Sequence, residues 1–451
     1  MTDILDLPDW TLLAKRSVGD EYELEAEYRL LPGACTKCGA VGRLYKHGTK
    51  ETTYRDSPIR GHPVRLLARV QRFRCRDCGE TFLQPLGAIQ EAMRMTERCA
   101  DYVKEQCLRD TFTRIAEHVG CDEKTIRTLA SAHILAVEAN YRPELPKQLG
   151  MDETKIEGRQ RCVITDIGKK RPIELLPDRD KGTVAGWLAR FPDRSGVEVV
   201  AIDMWRPYLD VAHVLFPGVP VVIDKFHVVR MANEALDRVR IRMGKKQAKL
   251  VRRGWMQSKS LLVQRNANLS EKRRFNLDMW LANEPDIAAA YACKEAFFDL
   301  YDMPKAKAVA AFDAWPDTVP QHLRADFRKL LTAARNWRTE ILAYFDHPVT
   351  NAYTEALNGV AKVINRQGRG YTFEVLRARV LFGKGVTTVK PEPQFRCGSC
   401  QGLFPKSKLE YGHLVPLTRG GRTSDRMLVC LPCNRRFHTT SHARPSAPST
   451  R

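Results

Sequence analysis

The stretch VEVVAIDMWRPYLDVAHVLFPGVPVVID, residues 197–224, decides the fold. Its two ends, VEVVAID and VPVVID, are short apolar runs rich in β-branched side chains, the pattern of strands buried on both faces. Between them, RPYLDVAHVLF spaces its apolar residues as a helix does. Each strand closes on an aspartate, Asp203 and Asp224. Open sheets gather ligands at the carboxyl ends of their strands, so both are candidate site residues. Either could instead cap the helix that follows it.

Upstream, LGMDETKIEG, RCVITDIG and RPIELLPD are short β-rich runs, with GKK turning between the last two, and TVAGWLARF reads as a helix. A three-strand meander followed by α-β-α-β is the order of an RNase H-like sheet with helices on its faces. Asp152 lies on the first strand of the meander, which in such a sheet runs beside the strand ending at Asp203. Two carboxylates on adjacent strands can converge on a metal.

Downstream, residues 225 to about 350 carry helical signals and almost no strand signal, with Trp255, Trp280, Trp315 and Trp337 spaced through them. A helical insertion at about 228–348 is predicted. HPVTNAYTEALNGVAKVINRQGRGY then predicts a helix beginning near Thr350, on which Asn351, Glu355, Asn358, Lys362 and Arg366 recur at near-helical spacing. Glu355 is the best third carboxylate. Magnesium or manganese takes octahedral oxygen ligation and keeps several waters, so three carboxylates and substrate phosphate suffice for two ions.

At 451 residues, with 43% apolar content, the chain supports several cores. Lys and Arg outnumber Asp and Glu by 74 to 53, a surplus of +21 that calls for an anionic partner, nucleic acid first. No apolar run reaches membrane-spanning length and the start, MTDILDLPDW, is acidic, so neither membrane nor export is expected, and a cytoplasmic location is.

Eight of the thirteen cysteines form four C-x-x-C pairs, which in a reducing compartment argue for zinc. Cys35, Cys38, Cys75 and Cys78 predict one zinc ribbon at about 33–85, each pair followed by a glycine, Gly39 or Gly79, that lets amides turn toward sulfur. PVRLLARVQRFRC between the pairs alternates like a strand. Cys99, Cys107, Cys121, Cys162 and Cys293 lie singly in apolar segments and read as small buried hydrophobes.

Residues 97–140 read as helices with a helix-turn-helix pattern. Ile115, Ala116 and Val119 face inward, Gly120 turns, and Ile126 and Leu129 face inward again, leaving Lys124, Thr125 and Arg127 for a major groove. A plain helical hairpin is the alternative. YRPELPKQ, 141–148, reads as a linker. The tract Arg238, Arg240, Arg242, Lys245, Lys246, Lys249, Arg252 and Arg253 is either a solvated helix face or a phosphate contact.

The runs LGMDETK, AIDMWRPYLDVAHVLFPGVPVVIDKFHVVRMANEALDRVR and NAYTEALNGVAKVINRQGRGYTFEVLRARVLF resemble the DDE transposases of the bacterial ISL-three insertion-sequence family, over roughly residues 30 to 385. The resemblance implies an RNase H-like catalytic domain with an all-helical insertion, Asp152, Asp203 and Glu355 as metal ligands, and Asp224 and His227 as a supporting D-x-x-H element. It implies double-stranded DNA as partner, both transposon ends and target, and a homodimer or larger synaptic complex. The C-terminal CGSCQGLFPKSKLEYGHLVPLTRGGRTSDRMLVCLPCNRRFH resembles an HNH endonuclease fold. Cys397, Cys400, Cys430 and Cys433 match its zinc ligands, His413 its general base, and Asn434 and His438 its terminal pair. Gly412 and Met427 stand where an acidic metal ligand and the middle asparagine are usual, which argues for a zinc-stapled DNA-binding remnant.

The expectation is a multidomain α/β chain: a segment with the ribbon over 1–90, a helix-turn-helix and linker over 91–148, a catalytic domain over 149–385, an HNH-like zinc module over 390–440 and a disordered tail over 441–451. Two structural zinc ions are expected. The rivals are a non-catalytic DNA-binding regulator and an HNH-type endonuclease.

Overall fold

The computed structural model describes residues 4–246, 252–368 and 370–383, and toward the C-terminus 394–397, 403–405, 408–413 and 426–430. The chain separates into two compact units, Met1–Val386 and Thr387–Arg451.

The first sheet comprises β1 (Trp10–Val18), β2 (Glu21–Tyr28), β3 (Leu44–Ile59), β4 (His62–Cys75), β5 (Thr81–Leu83), β6 (Ile89–Gln90) and β7 (Met95–Thr96). Their order is β1-β2-β4-β3-β7-β6, with β5 paired to the distal part of β4. The sequence reading assigns no element to residues 10–28, yet EYELEAEY alternates as a half-buried strand should. Leu24 and Ala26 join Trp10, Val64, Leu66 and Ala68 in a core, each buried leucine contributing roughly 1.5–3 kcal/mol. The other side of these strands carries charge pairs: Glu21 holds Arg55 and Arg65, Glu23 also holds Arg65, and Glu25 holds Arg16 and Arg69.

Three helices follow, α1 (Glu97–Gln106), α2 (Phe112–Val119) and α3 (Glu123–Asn140). Thr96 and Thr111 cap α1 and α2 by accepting from Cys99 N and Arg114 N, worth about 1 kcal/mol each. Ile115, Ala116, Val119, Ile126 and Leu129 are buried, the inward faces read from the sequence. Gly120 ends α2 at φ +73°, and a Cβ there would stand 2.9 Å from Arg55 Nη1, so both backbone and space require glycine. Lys124 is exposed, but Arg127 pairs with Glu123 and lies over the Phe112 ring at 5.4 Å, and Thr125 lines a groove with Tyr54 and Arg55.

The second sheet contains β8 (Gln148–Ile156), β9 (Arg159–Asp166) and β10 (Arg171–Leu175), then, after α4 (Lys181–Leu188), β11 (Val199–Ile202), and, after α5 (Arg206–Leu215), β12 (Val221–Ile223). Its order is β10-β9-β8-β11-β12, with β8, β11 and β12 parallel and β9 antiparallel to both its neighbours. Helices then continue as α6 (Lys225–Lys245), α7 (Arg252–Leu262), α8 (Glu271–Asn283), α9 (Pro285–Asp299), α10 (Lys305–Thr318), α11 (Arg324–Asn336) and α12 (Arg338–Leu342). Trp255, Trp315 and Trp337 are buried among them, and Trp280 meets Trp255 edge-on at 5.0 Å. After them α13 (Ala352–Gln367) and α14 (Phe373–Phe382) return to the sheet.

Within the basic tract, the arginines of α6 at 238, 240 and 242 are engaged inside the fold. Arg238 donates to the Asp326 carbonyl at 2.8 Å, and Arg242 pairs with the Asp326 carboxylate at 3.0 Å, both fastening α6 to α11. Arg240 is buried, bound to Asp237 and the Trp255 carbonyl. Lys245 and Lys246 are exposed at the end of α6, Arg252 and Arg253 open α7, and Lys249 lies outside the described residues.

In the C-terminal unit, β13 (Gln394–Arg396) pairs with β14 (Leu403–Pro405), and β15 (Leu409–His413) with β16 (Arg426–Cys430). Cys397, Leu409, Val429 and Cys430 form a small core, and the Cys430 amide donates to Cys397 Sγ at 3.3 Å. His413 ends β15 opposite Arg426, and Gly412 lies opposite Met427. Cys400, Cys433, Asn434, His438 and the tail 441–451 lie outside the described residues.

Candidate active site

Register brings the aspartates together. Met151 of β8 pairs with Ile202 of β11, and Ile202 pairs with Ile223 of β12. Asp152, Asp203 and Asp224 each follow one of these residues, so they stand in line across three parallel strands. Helix α13 lies against β8 and supplies Glu355 from its first turn.

His227, in the first turn of α6, sits among the four carboxylates. Its Nδ1 lies 3.8 Å from Asp203 Oδ1 and 4.0 Å from Asp224 Oδ2, and its Nε2 lies 3.6 Å from Glu355 Oε1. One side chain atom each from Asp152, Asp203 and His227 falls within 4.8 Å of the others, and the same holds for Asp224, His227 and Glu355. The sequence-predicted trio is therefore brought together around His227, with Asp224 as a further member.

The carboxylates differ in freedom. Asp152 is 4% exposed; its Oδ1 accepts from the Glu153 amide at 2.7 Å and its Oδ2 from Asn358 Nδ2 at 2.8 Å. Asp224 is fully buried, with Oδ1 capping α6 through the Phe226 amide and Oδ2 accepting from the Asn351 amide. The cap reading thus holds for Asp224. Asp203 keeps a quarter of its side chain exposed and, among the described residues, accepts from the Met204 amide alone, while Glu355 is 41% exposed. Burial pushes Asp152 up to about 7 and raises Asp224 as well.

A set of residues that the sequence reading assigned no role locks α13 in place. Asn351 Nδ2 donates to the Met151 carbonyl at 3.2 Å, Thr354 Oγ1 donates to Asn351 Oδ1, and Thr354 and Thr165 hydroxyls meet at 2.7 Å, all buried. Gly150 makes this approach possible, because a Cβ there would lie 2.4 Å from Thr165 Oγ1 and 2.8 Å from Asn351 Oδ1. At the rim, Arg179 pairs with Glu153 and stacks on the Trp205 ring at 4.1 Å. Asn351 and Thr354 precede Glu355 by one helical turn or less, a signal available in the sequence. Thr165 carried none.

The residues suit a divalent cation. Among the described residues no lysine or arginine pairs with Asp152, Asp203, Asp224 or Glu355, in a chain whose surplus is +21. Four carboxylates without a lysine or arginine partner among the described residues, two of them raised by burial, and a buried His227 Nδ1 with no hydrogen-bond partner form an oxygen-rich donor set that fits a divalent cation.

The four N-terminal cysteines also converge. Cys35, Cys38, Cys75 and Cys78 place their sulfurs within 4.8 Å of one another, the spacing of a closed four-thiolate site. The Cys38 amide draws the Cys35 thiol down to about 7, toward the thiolate that binds zinc.

Comparison with known proteins agrees with this arrangement. A family sequence model of the DDE ISL-three type, described as "Transposase", matches residues 149–380, and one described as "zinc-finger of transposase IS204/IS1001/IS1096/IS1165" matches residues 31–78. The chain is similar to the "Transposase for insertion sequence element IS1001" of Bordetella parapertussis, 27% identical over 347 residues that cover 75% of this chain and 85% of the relative. It is also similar to the "Transposase for insertion sequence element IS1557" of Mycobacterium tuberculosis, 24% identical over 371 residues, covering 75% and 82%.

Proposed function

The chain belongs to the ISL-three family of DDE transposases, metal-dependent enzymes that cut and join DNA, and from that premise we propose that Asp152, Asp203 and Glu355 are its catalytic carboxylates. The observation that carries the reading is the convergence of these side chains, from two parallel strands and α13, with no lysine or arginine pairing with them among the described residues. The sheet order and strand directions support an RNase H-like catalytic domain over about 149–385, with α6 to α12 as its helical insertion.

Two divalent ions, Mg²⁺ or Mn²⁺, held by Asp152, Asp203 and Glu355, would supply the positive charge that stabilises the entering and leaving oxygens of an in-line displacement. The protein's part is orientation. Asn358 and the Glu153 amide fix Asp152, and the Thr354–Asn351–Met151 contacts set α13, and with it Glu355, against β8. In the first displacement, water attacks the phosphorus at the transposon end and the 3′-oxygen leaves as a hydroxyl. In the second, that hydroxyl attacks a target phosphodiester and displaces the target's 3′-oxygen. No covalent bond to the protein forms.

Asp203 is favoured over Asp224 as second ligand because it follows β11, the strand paired directly with β8 that carries Asp152, whereas Asp224 follows the next strand out and caps α6. Asp224, His227 and Glu355 also form a compact donor set, which favours a second reading with Asp224 as the ligand. The zinc ribbon and helix-turn-helix would recognise the terminal inverted repeats, and pairing two ends in one reaction calls for a dimer or larger assembly at the bacterial nucleoid. The C-terminal unit is read as a zinc-stapled DNA-binding remnant, a reading supported by the Cys430–Cys397 contact and by Gly412 and Met427 standing opposite each other.

The test is cleavage and joining of labelled transposon-end duplexes in Mg²⁺ by the wild-type protein and by Glu355→Gln at equal DNA occupancy. The substitution keeps side-chain volume and removes one charge, so a rate loss of roughly a thousandfold or more is expected. Full activity in the variant would end the catalytic assignment.

A further inference from the structure

The charge surplus of +21 has to reside somewhere that acids do not already neutralise. Much of the arginine is committed: on the first sheet Arg16, Arg55, Arg65 and Arg69 face the glutamates of β2, and on α6 Arg238 and Arg242 hold α11. Among the described residues, one stretch of basic side chains without acid partners is the distal half of the β3–β4 hairpin, beside the four cysteines.

Strand β4 shows why. Its side chains alternate, with Val64, Leu66, Ala68 and Val70 on the buried side. The same alternation carries Arg72 and Arg74 onto that side beyond the point where the N-terminal core covers it, and Arg76 follows just past the strand's end. The face that is apolar near residue 66 is basic near residue 74. Pairing register sets Tyr45 opposite Arg74 and Lys50 opposite Val70, so both stand on the same side. Arg76 stacks over the Tyr45 ring at 5.5 Å, and His47 meets that ring edge-on at 6.0 Å. Phe73, Phe82, Cys35 and Cys75 occupy the opposite side as the ribbon's own small core.

Arg72 and Arg74 are exposed. Among the described residues no carboxylate pairs with Lys50, Arg72, Arg74 or Arg76, and the nearby Asp77 is taken by Arg43 at 2.8 Å. Arg74 is further held by its Nε–H bond to the Gly79 carbonyl at 3.0 Å, which points the side chain without neutralising it. Here β4 lies between β3 and β5, and cations clustered on one side of this small sheet offer a surface that neutralises phosphates.

We propose that this side of the ribbon, carrying Tyr45, His47, Lys50, Arg72, Arg74 and Arg76, is a docking surface for duplex DNA, with the arginines and Lys50 on phosphates. The proposal rests on the transposase reading and deepens it: it assigns the contact to one side of one hairpin, and takes it away from the tract on α6.

The experiment measures binding of a labelled mixed-sequence duplex to the full chain over a range of salt, with zinc content determined on each preparation. For Arg72→Gln/Arg74→Gln/Arg76→Gln the slope of log K against log salt should fall by roughly 0.9 for each phosphate that the variant no longer neutralises, with zinc retained. Lys50→Gln, away from the cysteines, should lower the slope by roughly 0.9 even if the triple variant fails to hold zinc. Arg65→Gln/Arg69→Gln, on the glutamate-paired side, should leave the slope unchanged. The proposal is overturned if Lys50→Gln and a zinc-loaded triple variant keep the wild-type slope, or if the Arg65/Arg69 control loses as much. Binding is read without metal-dependent cleavage, so an error in the catalytic carboxylates would leave these slopes untouched.

Discussion

Asn358 donates from Nδ2 to Oδ2 of Asp152 across 2.8 Å, joining α13 to β8 at the residue one turn beyond Glu355. The bond fixes which lone pairs of Asp152 remain for a ligand, since its other oxygen accepts from Glu153 N–H. Asn358→Ala should therefore lower Mg²⁺-dependent end cleavage by roughly 10- to 100-fold, the usual loss when a ligand's supporting hydrogen bond is removed. DNA affinity should be unchanged. Equal cleavage rates for variant and wild type across a Mg²⁺ titration would show that the bond orients nothing.

Asp203→Asn and Asp224→Asn should fail in different ways. The first removes a charge from a partly exposed carboxylate that packs nothing, so cleavage should vanish while the melting temperature holds. The second weakens the cap of α6 and the tie to Asn351, so thermal stability should drop by about 1 kcal/mol with a smaller loss of rate. Melting curves and cleavage assays on both proteins decide the matter. A dead Asp224→Asn beside an active Asp203→Asn would move the second ligand to Asp224.

Zinc should be found at two ions per chain in protein never exposed to chelator. Cys75→Ala should remove one of them, because its sulfur is one of four that close the N-terminal site. Elemental analysis checks both numbers.

Arg379 on α14 is 2% exposed, donating to the carbonyls of Cys107 and Asp110 in the loop between α1 and α2. Hydrogen bonds from a charged donor contribute about 1.5–3 kcal/mol each, so Arg379→Ala should destabilise the chain by several kcal/mol. Chemical denaturation should show it, and a loss under about 1 kcal/mol would mean that the loop finds other donors.

His413→Ala should leave end cleavage and joining intact. Gly412 offers no ligand beside it, so the C-terminal unit should not cut by itself. The full chain carrying Glu355→Gln provides the check: Mg²⁺-dependent nicking of supercoiled DNA that disappears on adding His413→Ala would reveal a working second nuclease.

The central sheet could be read from the sequence because its strands announce themselves locally. VVAI and VVI are apolar on both faces, and the aspartate after each marks the strand's end. Glu355 was legible for a similar reason, on an amphipathic helix with polar residues at regular spacing. What the sequence did not yield depends on partners far along the chain. Asp326 answers Arg238 and Arg242 from 84 or more residues away, so two cations of a row whose role the sequence leaves open are held inside the fold. Thr165 and Thr354 meet across 189 residues with nothing in either segment to pair them. Strand β2 was missed although its alternation is regular, because its outward residues are all glutamate and suggested no sheet until the arginines of β4 supplied their partners.

Helices α2 and α3 and the second sheet share one apolar cluster: Ile115, Val119 and Ile126 pack in the same core as Leu357 and Ala361 of α13 and Val163 of β9. Tyr371 seals the junction by accepting the Phe112 amide at 3.0 Å. The part proposed to read an end and the helix that carries Glu355 thus share one packed core, like two arms of a jig, with residues 141–147 joining them in the chain. A jig measures. The count of base pairs from the read segment to the cut is then set by the protein's own dimensions, and one inserted pair would turn the target bond by roughly 35° around the duplex axis, away from the carboxylates.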